Sequence, residues 1–479
     1  MDKPVVIVRA DGHAGMGLGH LVRSAALAEM LHLEFSCRLV YRYCPPALLA
    51  DWQKIYTETL AVTEQGEEEE ARWLATYGKE CTTSNNIAII VLDGYHFDTA
   101  YQKVIVAAGL RLVCIDDIHD CRHVAHLLIN HAPGAHIAQY ESAQHTHFAL
   151  GLRFALLRAP FRDVAQHRYP SPAKGIFLCL GGADPDNAVL YVLQEFERYG
   201  VSTTVDLVLG SAYLHEGTLT TYLAKSSLQV RLHRSLSDEQ MAVLMKGSSI
   251  GVTSPSTVSL EYLSAGGRLY LYQIADNQSG IKRALIQQGY AQDFSEFQLV
   301  APPKRPNRPA LDGKQDVRLR KLFRGLDLAI RLATVDDTAL YYQWANDPLV
   351  RAQSFSTEPI LLDQHQQWFT TKLVDPNSLL LVFTRPKDGV VGQVRFSIRA
   401  VTATIGYSVA ATARGQGLGL PMLHYAVGYL QRHWPAPRTI VGYVKRTNQP
   451  SLKTFRQLGY QESETDQYPN TVKFTLNEL

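Results

Sequence analysis

Four short segments join the end of an apolar run to a helical pattern through small residues, and each suits an anion or a proton transfer. The first is RADGHAGMGLGH, residues 9–20. Leu21, Ala25, Ala28 and Leu31 recur at helical spacing, so a helix starts near His20. Gly17 and Gly19 let the backbone approach a ligand closely. A neutral imidazole facing a cleft at that point is fit to be a general base toward water. A dinucleotide fingerprint fits poorly, because the next strand-like run ends in Arg42 and Tyr43 with no acid to hold a ribose. The second segment, LGGADPDN (180–187), offers backbone amides of Gly181 and Gly182 to phosphate. In the third, VTSPSTVSLEYLSAGG (252–267), Ser254, Ser256 and Thr257 stand at a helix N-terminus. Glu261 follows about one turn later, and by itself reads equally as a surface acid or as an acceptor for two ribose hydroxyls, while Pro255 removes one amide donor. The fourth is Arg414-Gly415-Gln416-Gly417-Leu418-Gly419, a glycine loop whose amides form an anion nest beside a cation.

The elements that must position these segments are strands separated by helices. Apolar runs occur at 5–9, 37–43, 87–92, 111–115 and 127–130, then at 175–180, 204–209, 228–233, 248–252 and 268–272. Alternation of this kind predicts two parallel sheets with helices on both faces. The Pro- and charge-rich stretch 157–175 reads as a hinge, and 301–315 as a linker. DVRLRKLF (316–323) reads as a terminal helix returning to the first unit. From Asp327 onward the pattern changes to a strand, two helices, antiparallel-looking strands, a glycine loop and a helix. The expected units are 1–157, 158–323 and 327–479.

Lys+Arg 47 against Asp+Glu 45 leaves a net charge of +2, too balanced for nucleic acid to be the main partner. No apolar run reaches the length of a membrane span, and the N-terminus leaves no room for a signal peptide. The six cysteines include no CxxC pair, which reads as reduced thiols and a cytoplasmic location. His119, Cys121, His123 and His126 match no common zinc spacing and read as a surface helix, so no metal is expected. The acidic run Glu67–Glu70 reads as a solvated helix N-terminus.

IVRADGHAGMGLGHLVRSAALA, VLDGY (91–95), CIDD (114–117), LLIN (127–130), LGGADPDN and ADNQ (275–278) together resemble the PseG family, the UDP-2,4-diacetamido-2,4,6-trideoxy-β-L-altropyranose hydrolases of pseudaminic acid biosynthesis. The resemblance covers about residues 4–323. It implies a GT-B-like pair of Rossmann-like domains, His20 as the catalytic base, and substrate contacts from Asp93, Tyr95, Asn277 and Gln278. The chemistry it implies is attack of an activated water on the anomeric carbon. UDP then leaves as a stabilised anion, without the paired carboxylates of ordinary glycosidases.

The fourth segment resembles the R/Q-x-x-G-x-G/A motif of the GNAT acetyltransferases. Three further stretches agree: RLATVDDTALYYQWANDPLVRAQSFST (331–357), DQHQQWF (363–369) and VKRTNQPSLKTFRQLGY (444–460). The resemblance covers 327–479, implies an α+β domain that binds acetyl-CoA, and reaches the PseH type that acetylates UDP-4-amino-4,6-dideoxy-N-acetyl-β-L-altrosamine. It places Arg414, Gly415, Gln416, Gly417, Gly419, Asn448 and Ser451 at the cofactor. Phe455 stands where many relatives carry a tyrosine acid, so neither acid nor base is assigned. Trp344 and Trp368 read as core. The combined expectation is a bifunctional enzyme acting on one nucleotide sugar. Its rivals are a GT-B glycosyltransferase fused to a protein N-acetyltransferase, and a nucleotide-sugar-binding module without catalysis.

Overall fold

The computed structural model describes residues 3–12, 17–64, 66–84, 86–167, 175–181, 184–210, 213–298, 311–434 and 439–477. The protein is a mixed α/β chain built on three sheets. The first contains β1 (Val5–Ala10), β2 (Ser36–Tyr41), β3 (Glu58–Ala61), β4 (Ile89–Asp93), β5 (Arg111–Ile115), β6 (Leu127–Asn130) and β7 (His147–Leu150). Their order is β3-β2-β1-β4-β5-β6-β7, with every pair parallel. The second contains β8 (Ile176–Cys179), β9 (Val205–Leu209), β10 (Val230–Arg234), β11 (Ile250–Thr253), β12 (Arg268–Leu271) and β13 (Gln292–Asp293). It runs β10-β9-β8-β11-β12-β13, again all parallel. Continuous apolar strands such as VVIVRA and IIVLD bury both faces, as parallel sheets require. The strands absent from the apolar pattern, β3, β7 and β13, lie at sheet edges, where less burial is demanded.

The third sheet holds β14 (Ala329–Leu332), β15 (Ser378–Arg385), β16 (Gly389–Arg399), β17 (Thr402–Val409), β18 (Thr439–Lys445), β19 (Gln461–Glu464) and β20 (Thr471–Asn477), in the order β14-β15-β16-β17-β18-β20-β19. All its pairs are antiparallel except β17 with β18. That pair touches only over Thr402–Thr404 against Thr439–Val441, and then the strands part. The gap opens toward the loops that follow both strands.

Three sequence expectations need correction. Part of the expected hinge is the helix Ala159–Gln166, which packs on the helices Asp238–Gly247 and Thr257–Ala265. The expected surface helix around His119–His126 is a loop with His123 buried and bridged to Ser142. In the acidic run, Glu67, Glu68 and Glu69 are exposed but Glu70 is buried, bound by Arg9, Arg42 and Tyr101. Most of the expected 301–315 linker lies outside the described residues. All six cysteines are free. Among the described residues no helix is long and apolar enough to cross a membrane.

The helix Gln315–Arg324 packs against the helix Gly19–Leu31 and the helix Gly419–His433. Leu319 and Leu322 are fully buried between them. Tyr425 donates to the Leu322 carbonyl at 3.0 Å, and His147 stacks on Tyr425 at 3.7 Å between centroids. A cavity of about 1380 Å³ runs along this junction, away from all four anion-suited segments. Leu322→Ala should cost roughly 2–5 kcal/mol through the cavity it leaves. Urea unfolding would measure it, and a loss below about 0.5 kcal/mol would contradict a packing role for this helix.

Candidate active sites

His20 is the second residue of the helix Gly19–Leu31, and Arg23 and Ser24 follow at helical spacing on the same face. That face meets the C-terminal end of β4, where Asp93 is fully buried. Asp93 Oδ1 lies 2.7 Å from His20 Nδ1, Arg23 donates to both carboxylate oxygens, and Ser24 Oγ donates to Oδ2 at 2.8 Å. In the tautomer with the proton on Nδ1, Asp93 accepts it and Nε2 is the basic nitrogen, while Arg23 Nη2 also lies 3.0 Å from Nδ1. Tyr95 stands edge-on to the His20 ring at 4.7 Å and is half exposed. Arg23 also reaches Asp117 at 2.8 Å. Burial alone would raise the Asp93 carboxyl, but the Arg23 charge and the hydrogen bonds from His20 and Arg23 outweigh it and hold the group below its usual range. Burial together with the Asp117 charge pushes the Tyr95 phenol up to about 12.

The loop before His20 is positioned from below. Arg9, buried in β1, reaches Asp11 at 2.7 Å and Glu70 at 2.6 Å. Asp11 in turn accepts from the amides of Arg42 and Tyr43. Gly17 has φ +89°, and Gly19 opens the helix with free space where a side chain would be. A single such histidine–carboxylate pair can activate a water. Arg23 and Ser24 were within reach of the sequence, three and four residues after His20.

In the second sheet, Gly181 and Ser254 meet across the C-terminal ends of β8 and β11: a side chain at Gly181, φ +103°, would lie 3.6 Å from Ser254 Oγ. This is the end of a parallel sheet where ligands bind. Ser254 and Ser256 hydroxyls are 3.1 Å apart, and Thr257 begins the following helix. Gly182 lies outside the described residues. The amides opening the helix Ala188–Arg198 are already occupied, since Asp184 accepts from Ala188 and Val189 at 2.7 and 2.9 Å. Gln278 accepts from Ile274 within its own loop, and Asn277 lies in the short turn Asp276–Gln278.

Glu261 departs from its expected ribose-facing position. It is 2 % exposed, and Arg158 holds both its oxygens at 2.8 Å. Burial pushes its carboxyl up to about 7 even against the pull of Arg158. Arg158 also pairs with Asp238, and the neighbouring Ala159 amide and Arg162 reach Glu29 on the helix that carries His20. Sequence separation of 103 residues concealed this pair.

The glycine loop of the third sheet follows β17 and leads into the helix Gly419–His433. Gly415 and Gly417 have φ +80° and +78°, a backbone that only glycine adopts without strain. Arg414 donates to the Val409 carbonyl and pairs with Asp347 at 2.9 Å. Asp347 itself caps the helix Pro348–Gln353, which ties the two distant motifs together physically. The Gln416 side chain is turned to Arg385 and the Thr412 carbonyl, so it shapes the loop instead of facing a ligand. Asn448 caps the helix Gln449–Gln457 by accepting from the Ser451 amide, and Ser451 Oγ is 3.0 Å from the Tyr407 hydroxyl. Tyr407 stands beside Gly419, a neighbour the motif did not announce. Phe455 is buried: it stacks on Phe474, a side chain at Gly442 would meet its ring tip at 2.6 Å, and it borders the cleft lined by the glycine loop and Ser451. Trp344 is buried and Trp368 packs against the same core.

These features define the third unit as a GNAT-type domain: residues 327–461 match the acetyltransferase (GNAT) domain family. It is an acetyl-CoA-dependent N-acetyltransferase domain, with acetyl-CoA as its co-substrate. Along its whole length the chain is similar to an uncharacterized protein of Methanocaldococcus jannaschii, 20% identical over 96% of this chain and 97% of the other. Similar solved structures cover about a third of this chain. A domain from Methanocaldococcus jannaschii is 19% identical, with TM-score 0.29, over 31% of this chain and 97% of its own. The spermidine N-acetyltransferase from Vibrio cholerae, in complex with CoA and spermine, is 15% identical, with TM-score 0.29, over 32% and 96%. An N-acetyltransferase from Staphylococcus aureus Mu50 is 21% identical, with TM-score 0.27, over 31% and 98%.

Two stability measurements test the buried charges. Arg158→Met strands Glu261 in the interior and should cost roughly 3–5 kcal/mol, whereas Arg158→Met with Glu261→Leu should recover most of it. Equal losses in both variants would contradict the pairing. Asp93 has a depressed folded pKa, so its contribution is present above the unfolded value, about 3.9, and is lost as pH falls through the lower folded value. Urea unfolding between pH 6 and pH 3 should show stability falling at the acid end, with a shallower fall in Asp93→Asn.

Proposed function

We propose that the chain is a bifunctional enzyme acting on one nucleotide sugar. The third unit N-acetylates the 4-amino group of UDP-4-amino-4,6-dideoxy-N-acetyl-β-L-altrosamine. The GT-B-like pair of units then hydrolyses UDP-2,4-diacetamido-2,4,6-trideoxy-β-L-altropyranose to UDP and the free sugar, as in pseudaminic acid biosynthesis. The observation that carries the hydrolase reading is the His20–Asp93 pair at the end of a parallel sheet, on the motif that resembles the PseG family.

In this mechanism His20 Nε2 takes a proton from water as the water attacks the anomeric carbon. Asp93 keeps the Nδ1 proton in place and stabilises the imidazolium that forms. The C–O bond to UDP breaks, and the diphosphate carries off the electron pair. Gly181, Ser254, Ser256 and Thr257 are assigned to the diphosphate, and Tyr95 to the sugar side of His20. In the acetyltransferase, the amides of Gly415, Gly417 and Gly419 hold the coenzyme pyrophosphate, and the pantetheine arm enters the gap between β17 and β18.

The deciding experiment incubates the protein with the UDP-4-amino sugar, with and without acetyl-CoA, and follows products by mass spectrometry. UDP release that depends on acetyl-CoA is expected. Sugar transfer to an added acceptor would favour a glycosyltransferase instead. His20→Asn should lower UDP release from the diacetylated substrate by about 10²–10⁴-fold while leaving acetylation intact, and Asp93→Asn should follow it. Near-normal hydrolysis by folded His20→Asn protein would remove the base from the mechanism.

A further inference from the structure

The acetyltransferase cleft, about 1270 Å³, carries charges that acetyl-CoA alone does not explain. Its cofactor side bears the glycine loop, Tyr407 and Ser451. Its other side is built by β16 and by the helices Pro348–Gln353 and Leu362–Val374. Arg395 of β16 sits opposite Gly406 of β17, so its side chain lies on the face away from Tyr407. The guanidinium lies over the Trp368 ring, 5.7 Å from its centroid. Arg395 is exposed to the cleft and makes no hydrogen bond or ion pair with any described residue. Arg351 lines the same side. One of its nitrogens donates to the Glu358 carbonyl, while its Nε is buried without a partner. Lys445 and Lys372 also line the cleft, the latter paired with Asp375 at 2.8 Å. Among the described residues that line the cleft there is no aspartate or glutamate.

The enclosed setting of the cleft lowers the Arg395 pKa, the nearby Tyr341 raises it, and the charge of Arg351 lowers it again. Two cations thus line one recess, with no carboxylate among its described lining residues. Such an arrangement is unfavourable until an anion arrives, and charge-assisted bonds to that anion are then the strong kind. The attacking amine must itself be neutral, so it does not call for positive charge. From this geometry we infer that Arg395, with Arg351 beside it, binds a phosphate-bearing part of the acetyl acceptor and excludes polycationic amines. Trp368 holds the guanidinium plane in position. The inference rests on the acetyltransferase reading of this cleft, and it is independent of the hydrolase reading.

Two measurements on the full-length protein test it. In the first, inorganic pyrophosphate is titrated calorimetrically into protein saturated with coenzyme A. Arg395→Gln should weaken or remove one binding event by about tenfold or more, and unchanged binding overturns the inference. In the second, coenzyme A release is followed with the UDP-linked 4-amino sugar, the same amino sugar freed of UDP, and spermidine. The UDP-linked amine should be the best acceptor. Arg395→Gln should raise its KM about tenfold while kcat and the KM for acetyl-CoA stay within about twofold. Arg395→Lys should recover part of the loss. Spermidine or the free amino sugar turning over as efficiently as the UDP-linked amine would overturn the assignment, as would a loss confined to kcat. If coenzyme A itself failed to bind, the acetyltransferase reading would fall instead, and the two failures are told apart in the first titration.

Discussion

The docking of the first and third sheets depends on one desolvated cation. Arg318, in the helix Gln315–Arg324, is 1 % exposed, and a guanidinium so buried must find acceptors or cost several kcal/mol. It finds them in three parts of the chain: Asp312 at 2.5 Å, the Gln457 carbonyl at 2.5 Å and the Arg153 carbonyl at 3.2 Å. Asp312 leads into the helix itself, Arg153 follows the first sheet, and Gln457 ends the helix after β18. Displacing any one of these segments leaves a buried donor unpaired. The apolar face of the same helix fills the space between the His20 helix and the acetyltransferase helix Gly419–His433. The GNAT domain is therefore packed against the first unit and does not merely follow it in sequence. His424 donating to the Phe148 carbonyl and Arg432 donating to the carbonyls of Gln144 and Thr146 extend that junction.

The two candidate sites use one device for different ends. Each places a glycine, Gly19 in one and Gly419 in the other, at the start of a helix that follows a strand, where the first-turn amides have no partner within the helix. In the GNAT domain the loop is held by a charge pair from another motif, Arg414 with Asp347. In the first unit the helix N-terminus carries His20, and the structure spends a buried aspartate, an arginine and a serine on orienting it. Orientation of this kind costs burial of charge. The reward is an imidazole with one nitrogen committed and the other available.

Much of this was legible in the sequence, for identifiable reasons. Apolar runs of four to six residues alternating with helical periodicity announced the parallel strands, and glycine loops at their ends marked the ligand-facing edges. What stayed hidden depends on partners far apart in the chain. Glu261 reads as a ribose ligand until Arg158 is seen holding both its oxygens. Glu70 reads as one more solvated acid in a run of four until Arg9 is seen buried beneath it. Gln416 belongs to the motif by position, yet its side chain serves the loop. Arg395 was invisible for the opposite reason: its significance lies in the carboxylate that no neighbour supplies, and a one-dimensional string does not show which charges go unpaired.

Phe455 shows how a residue type can be legible while its consequence is not. Its ring abuts Gly442 and stacks on Phe474 while bordering the cleft, and a phenyl ring has no proton to give a leaving group. The loss is smaller than it looks. A thiol of ordinary pKa, about 8.5, needs only about 2 kcal/mol to leave as its anion at pH 7, against far more for an amine or alkoxide. Arg395 lies on the face of the sheet away from Tyr407, so its charge is directed at the acceptor side of the cleft and not at the thiolate. The low basicity of a thiolate is thus what lets an acetyltransferase fold carry a phenylalanine at a position where others carry an acid.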